Sequence, residues 1–168
     1  MSYYRLVLSE NTERALRALL MRDSPLENGA AMLLGTGAVN GGRALFARTI
    51  VEAPAGGFRM QEQDRWAPSP SWLSRLVGVA DENSSGIALV HSHPLSSDAV
   101  RSAADDWADE LIAPYFSSNL GERPFASLVV SKEVETGSKL SLSHYGVLRV
   151  DGYCFAVFSA CPVFLYCQ

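Results

Sequence analysis

VHSHPLSSDAVRSAADDWADELI, residues 90–112, holds two of the chain's three histidines, His91 and His93, one residue apart. Asp105 follows twelve residues after the second, with Ser102 three positions before it. Apolar residues precede the histidines, so IALVHSH (residues 87–93) reads as a buried strand. Side chains alternate across a strand, which aims His91 and His93 to one face and Ser92 to the other. Pro94 ends the strand abruptly, and Ser102 begins a helix whose first turn contains Asp105. Ser-x-x-Asp also matches the capping box, in which the third helical residue reaches back to the cap. The reading turns on whether that helix only caps itself or also presents Asp105 to the histidines.

Working outward, helical and strand patterns alternate. Ser9 reads as the N-cap of a first helix, with Glu10 and Glu13 in its first turn and Leu16, Leu19 and Leu20 on one face. AAMLLG and ALFARTIVEA read as strands, and Asn40-Gly41 between them as a hairpin turn. Gly35, Gly37 and Gly41 are off register for a dinucleotide-binding loop, and no helix pattern follows them. A second helix starts at Ser69-Pro70, and Leu73, Leu76, Val77 and Ala80 give it one apolar face. The segment between, APAGGFRMQEQDRWAPSP, is irregular, with room for one short strand. FASLVVS is a further strand, with weaker strand patterns in KLSLSHYGVL and the C-terminal apolar stretch. The order predicts a single α/β domain over residues 1–168, a mixed sheet sandwiched by helices.

Composition narrows the function. Hydrophobic residues make up 48% of the 168, enough for one substantial core and too many for a disordered chain. Fourteen Lys+Arg against 18 Asp+Glu leave a net charge of −4 without a basic run, which gives nucleic-acid binding no electrostatic support. Cys154, Cys161 and Cys167 form no C-x-x-C pair and read as buried structural thiols. The N-terminus carries charges where a signal peptide needs an apolar run, and no span approaches the roughly 20 apolar residues of a membrane helix. The expectation is a cytoplasmic, reduced protein with no membrane partner.

Two imidazoles on one side of a strand end can share a zinc ion at about 2.0–2.1 Å each, with a carboxylate as third ligand. Asp105 is the natural third ligand, and Asp98 and Asp106 are the neighbouring alternatives. Only Asp105 has a serine three residues before it.

HSHP followed by SAAD resembles the signature of the JAB/MPN (Mov34, JAMM) metalloprotease family: an upstream Glu, then H-x-H-P, a loop and S-x-x-D. The resemblance implies a JAB/MPN-like, cytidine-deaminase-like fold, with His91, His93 and Asp105 as zinc ligands. Ser102 would help stabilise the tetrahedral intermediate besides capping its helix. SPLENGAAMLLG matches the family's segment before its first core strand, which places the upstream Glu at Glu27, the general base and then acid. Residues 94–101 make a loop one residue longer than is usual in the family. The run from Glu27 to Gly35 is likewise one longer, which a bulge in the AAMLLG strand would absorb; Glu52 and Glu13 are the alternative carboxylates.

The activity implied by the resemblance is zinc-dependent hydrolysis of an amide or isopeptide bond after the C-terminal tail of a ubiquitin-like protein. Short stand-alone members resemble bacterial proteins that accompany E1-like and E2-like enzymes, including in antiphage defence operons. A glycine-ended tail can lie along a sheet edge beside the metal. Two alternatives stay open: an MPN-type scaffold without the chemistry, and a metallohydrolase of the same fold acting on sulfur-carrier or small amino-acid adducts. Nucleic-acid deaminase chemistry lacks its H-x-E and P-C-x-x-C pair. His144 reads as an exposed or hydrogen-bonded histidine, and Trp66, Trp72 and Trp107 as core or groove aromatics.

Overall fold

In a computed structural model, which describes residues 4–39, 42–96, 101–132, 148–156 and 159–167, nine strands and three helices are placed. In chain order they are β1 (Tyr4–Leu8), α1 (Glu10–Leu20), β2 (Gly29–Val39), β3 (Gly42–Glu52), β4 (Phe58–Gln61) and β5 (Trp66–Pro68). There follow α2 (Pro70–Glu82), β6 (Gly86–His93), α3 (Ala103–Leu120), β7 (Phe125–Lys132), β8 (Leu148–Ala156) and β9 (Ser159–Cys167). Ser9, Ser69 and Ser102 each cap their helix, as the sequence predicts.

The large sheet runs β1-β3-β2-β6-β7-β8-β9, and β9 pairs back parallel onto β1. The expected mixed sheet is therefore present, but it curls until its edges meet. Strand alternation divides its apolar residues between two cores. Ala30, Met32, Leu34, Val90 and Leu128 face one side, where Leu16, Leu19 and Leu20 of α1 close the core. Ala31, Leu33, Ile87 and Leu89 face the other, against Trp72, Leu76 and Ala80 of α2 and Ala113, Phe116 and Leu120 of α3. Each fully buried leucine of this kind contributes about 1.5–3 kcal/mol.

Three expectations change in detail. The segment before α2 is a β4–β5 hairpin rather than irregular chain. The bulge foreseen in β2 lies across from it: Leu33 pairs with Thr49 and Leu34 with Ala47, so Arg48 of β3 is the extra residue. On its other edge β2 stays in step with β6, from Gly29 opposite His91 to Leu34 opposite Gly86. Trp107 is 65% exposed on α3 and is not a core residue, whereas Trp72 is fully buried. The hairpin turn at Asn40-Gly41, Asp98 and His144 lie outside the described residues, and so do the side chains of the three cysteines.

No described helix is long and apolar enough to cross a membrane.

Candidate metal centre

The site forms where three elements end together. β6 delivers His91 and His93 on the face that its Ile87 and Leu89 turn toward α3. The α3 cap places Asp105 beside them, and the two residues ahead of β2 bring in Glu27. His91 Nε2 lies 2.9 Å from Asp105 Oδ1, and His93 Nε2 lies 3.5 Å from Asp105 Oδ2. His93 Nε2 is also 3.4 Å from Glu27 Oε1, and the two Nε2 atoms are 3.3 Å apart. Glu27 and His91 are buried, with only 4% and 6% of their surface exposed.

These separations suit a small cation. Ligands at about 2.0–2.1 Å on a tetrahedral ion stand roughly 3.3 Å from one another. Ligand atoms of Glu27, His91 and His93 all lie within 4.8 Å of one another, a group that could hold a metal ion. Asp105 reaches both histidines from α3, whereas Glu27 comes within ion-pair distance of His93 alone.

Of the other candidate carboxylates, those among the described residues are engaged elsewhere. Asp106 pairs with Arg101, Glu52 with Arg22 and Glu13 with Arg17. Of Glu27, Glu52 and Glu13, Glu27 is the one that stands beside the histidines.

The capping box and the site use the same carboxylate. Ser102 Oγ accepts from the Asp105 backbone N–H at 3.2 Å, and Asp105 Oδ2 accepts from the Ser102 N–H at 2.6 Å. Cap and ligand readings of SAAD are therefore compatible. The cap turns Oδ1 toward His91 while Oδ2 is held by the helix start.

Electrostatics separates the carboxylates. Burial pushes Glu27 up to about 8, aided by the negative charges of Asp105 and Asp64. Burial also opposes ionisation of Asp105, but the hydrogen bond and charge of His91 and the bonds from Ser102 outweigh it. Its carboxyl stays below the usual aspartate range.

Several residues that shape the site carry no motif. Asn28 and Ser92 form a clasp across β2 and β6: the Asn28 N–H donates to Ser92 Oγ at 2.9 Å, and the Ser92 N–H donates to the Asn28 carbonyl at 2.9 Å. Ser92 points away from the histidines, as strand alternation requires, and it anchors the residue next to Glu27. The Glu27 N–H donates to the Glu62 carbonyl at 2.8 Å, tying it to the β4–β5 hairpin. From the same hairpin Trp66 stacks on His91, ring centroids 5.4 Å apart and planes within 10°. A Cβ at Gly29 would stand 2.1 Å from that indole, so glycine is required for the tryptophan to reach the histidine. Strand-end Gly followed by an isolated Trp some forty residues later gives no readable signal in sequence.

No family model matches the chain, and no curated protein does. Among solved structures it is similar to the solution structure of protein DSY2949 from Desulfitobacterium hafniense, at a TM-score of 0.55 and 15% identity. That match covers 97% of this chain and 92% of the other. At such identity the likeness concerns the fold, a mixed α/β arrangement running nearly end to end.

Proposed function

We propose that the chain is a zinc-dependent isopeptidase or peptidase of the JAB/MPN type, cutting after the C-terminal tail of a ubiquitin-like protein. The observation that carries the proposal is the convergence of Glu27, His91, His93 and Asp105 at one strand end, with spacings of 2.9–3.5 Å between carboxylates and imidazoles. His91, His93 and Asp105 would hold the ion, since Asp105 touches both histidines and its carboxyl stays ionised. Zinc would supply a Lewis acid and an acidified water.

The chain's own residues account for the remaining steps. Glu27, beside His93, would take the proton of the attacking water and return it to the leaving amine. The role needs its carboxylate ionised, which a cation beside it favours against the burial that raises it to about 8 in the metal-free site. The Ser102 hydroxyl, at the exposed helix cap beside Asp105, donates to the oxyanion that develops on the scissile carbonyl. Trp66 stacks on His91 and covers one face of its ring.

The reading is tested with purified protein and a fusion carrying a ubiquitin-like domain ahead of a reporter. Parent protein should contain zinc and cleave after the domain's last residue. Glu27→Gln should retain the zinc and lose cleavage. A zinc-replete parent that leaves every such fusion intact would move the substrate to the sulfur-carrier or small-adduct class.

A further inference from the structure

Beside the site lies a buried charged cluster that the chemistry above leaves unused. Arg101, the residue before the α3 cap, has a side chain only 5% exposed. Its Nε donates to Asp106 Oδ1 at 3.1 Å, its Nη1 to Ser127 Oγ at 3.3 Å and its Nη2 to the Asp109 carboxylate. Asp109 stands four residues after Asp105, on the same face of α3 one turn deeper. Ser127 belongs to β7 and pairs in register with Leu89, two residues before His91. One guanidinium thus joins the start of α3, its second turn and the sheet beneath the histidines.

Burying such a pair carries a desolvation penalty that its mutual attraction often fails to exceed, so stability alone is a weak reason for it. Burial raises Asp109, and Arg101 and Ser127 counter that effect only in part. Farther along, Ala113, Phe116 and Leu120 of α3 pack into the apolar core, contacts that are non-directional. A planar fork with acceptors on separate elements fixes direction as well as distance. Direction is what the helix start needs, because Asp105 must address His91 and His93 together.

We infer that Arg101 is a positioning residue for the metal site: its guanidinium, held by Asp109 and Ser127, sets where the first turn of α3 presents Asp105. The inference rests on the metal-site reading above.

Zinc affinity of the full chain, measured by competition against a chromophoric chelator, tests it. Thermal unfolding of the chelator-treated protein reports the fold. Two variants are compared with the parent: Arg101→Lys, which keeps the charge beside Asp109 without the fork, and Arg101→Met with Asp109→Leu, which removes both charges. Both should bind zinc 10–100-fold more weakly, the range for losing a residue that orients a ligand. The double variant's metal-free Tm should stay at or above the parent's. Parent-like affinity in Arg101→Lys would reduce the role to charge balance and overturn positioning, as would parent-like affinity in a folded double variant. Should the double variant fail to fold, the lysine variant alone decides. A parent that binds no zinc overturns the metal-site reading and this inference with it.

Discussion

The first turns of α1 and α3 begin alike and are put to different uses. In α1 Ser9 Oγ accepts from the Thr12 N–H at 3.1 Å, and Glu13 in the next position pairs with Arg17 along the helix. In α3 Ser102 accepts from Asp105 in the same way, but Asp105 sits against the end of β6, with His91 2.9 Å from its free oxygen. A serine cap is a local device worth about 1 kcal/mol wherever it occurs. It becomes part of a site only where the strand behind it supplies partners for the third helical residue. The comparison therefore predicts that equivalent changes in the two turns will have unequal consequences.

The largest contrast is at the third helical position. Asp105→Ala should remove zinc and reduce cleavage to background, while Thr12→Ala should leave both untouched; metal analysis of the two purified variants checks this. Glu27→Gln comes next, with zinc retained and kcat lowered about 10²–10⁴-fold, the usual contribution of a positioned general base. Gly29→Ala drives a methyl into the Trp66 indole. Overpacking of this kind costs about 1–3 kcal/mol, read as a shift in the urea midpoint, and zinc affinity should fall with it because His91 loses its stacked neighbour.

Smaller effects follow from protonation and from the caps themselves. In chelator-treated protein the folded state keeps a proton on Glu27 up to about pH 8, whereas the ordinary value is 4.5. Between those values the folded chain binds more protons than the unfolded one, so stability falls as pH rises, by at most about 1.4 kcal/mol per unit from this group. Urea midpoints at pH 5 and pH 8 should show that slope flattened in Glu27→Gln. Asp105 acts in the opposite sense at lower pH, since its depressed carboxyl adds stability that is lost on acidification below the ordinary aspartate range. Ser9→Ala and Ser102→Ala should each cost about 1 kcal/mol. Only the second should also weaken zinc binding, which separates the two caps most finely.

Much of the candidate site was legible in sequence because His91, His93 and Asp105 obey short-range rules. Alternation put His91 and His93 on one face, and the cap pattern singled out Asp105 from Asp106, which turns instead to Arg101. Glu27 came through the resemblance, and the unbroken β2–β6 register accounts for its place: Gly29 opposite His91 brings Glu27 level with His93. What stayed hidden depends on contacts between distant residues with no periodic trace. The Asn28–Ser92 clasp spans 64 positions, and Arg101 meets Ser127 across 26. The closure of the sheet was hidden for the same reason, since β1 and β9 come from opposite ends of the chain. The β4–β5 hairpin escaped notice because four and three residues are too few to show alternation.

The central claim is that His91, His93 and Asp105 hold one metal ion with Glu27 beside it as the base, and zinc titration by calorimetry on metal-free protein tests it most directly. The account predicts saturation at one equivalent for the parent and for Glu27→Gln, with no comparable binding by His91→Ala or Asp105→Ala. Binding by the parent that survives in His91→Ala, or no binding by the parent at all, would contradict it.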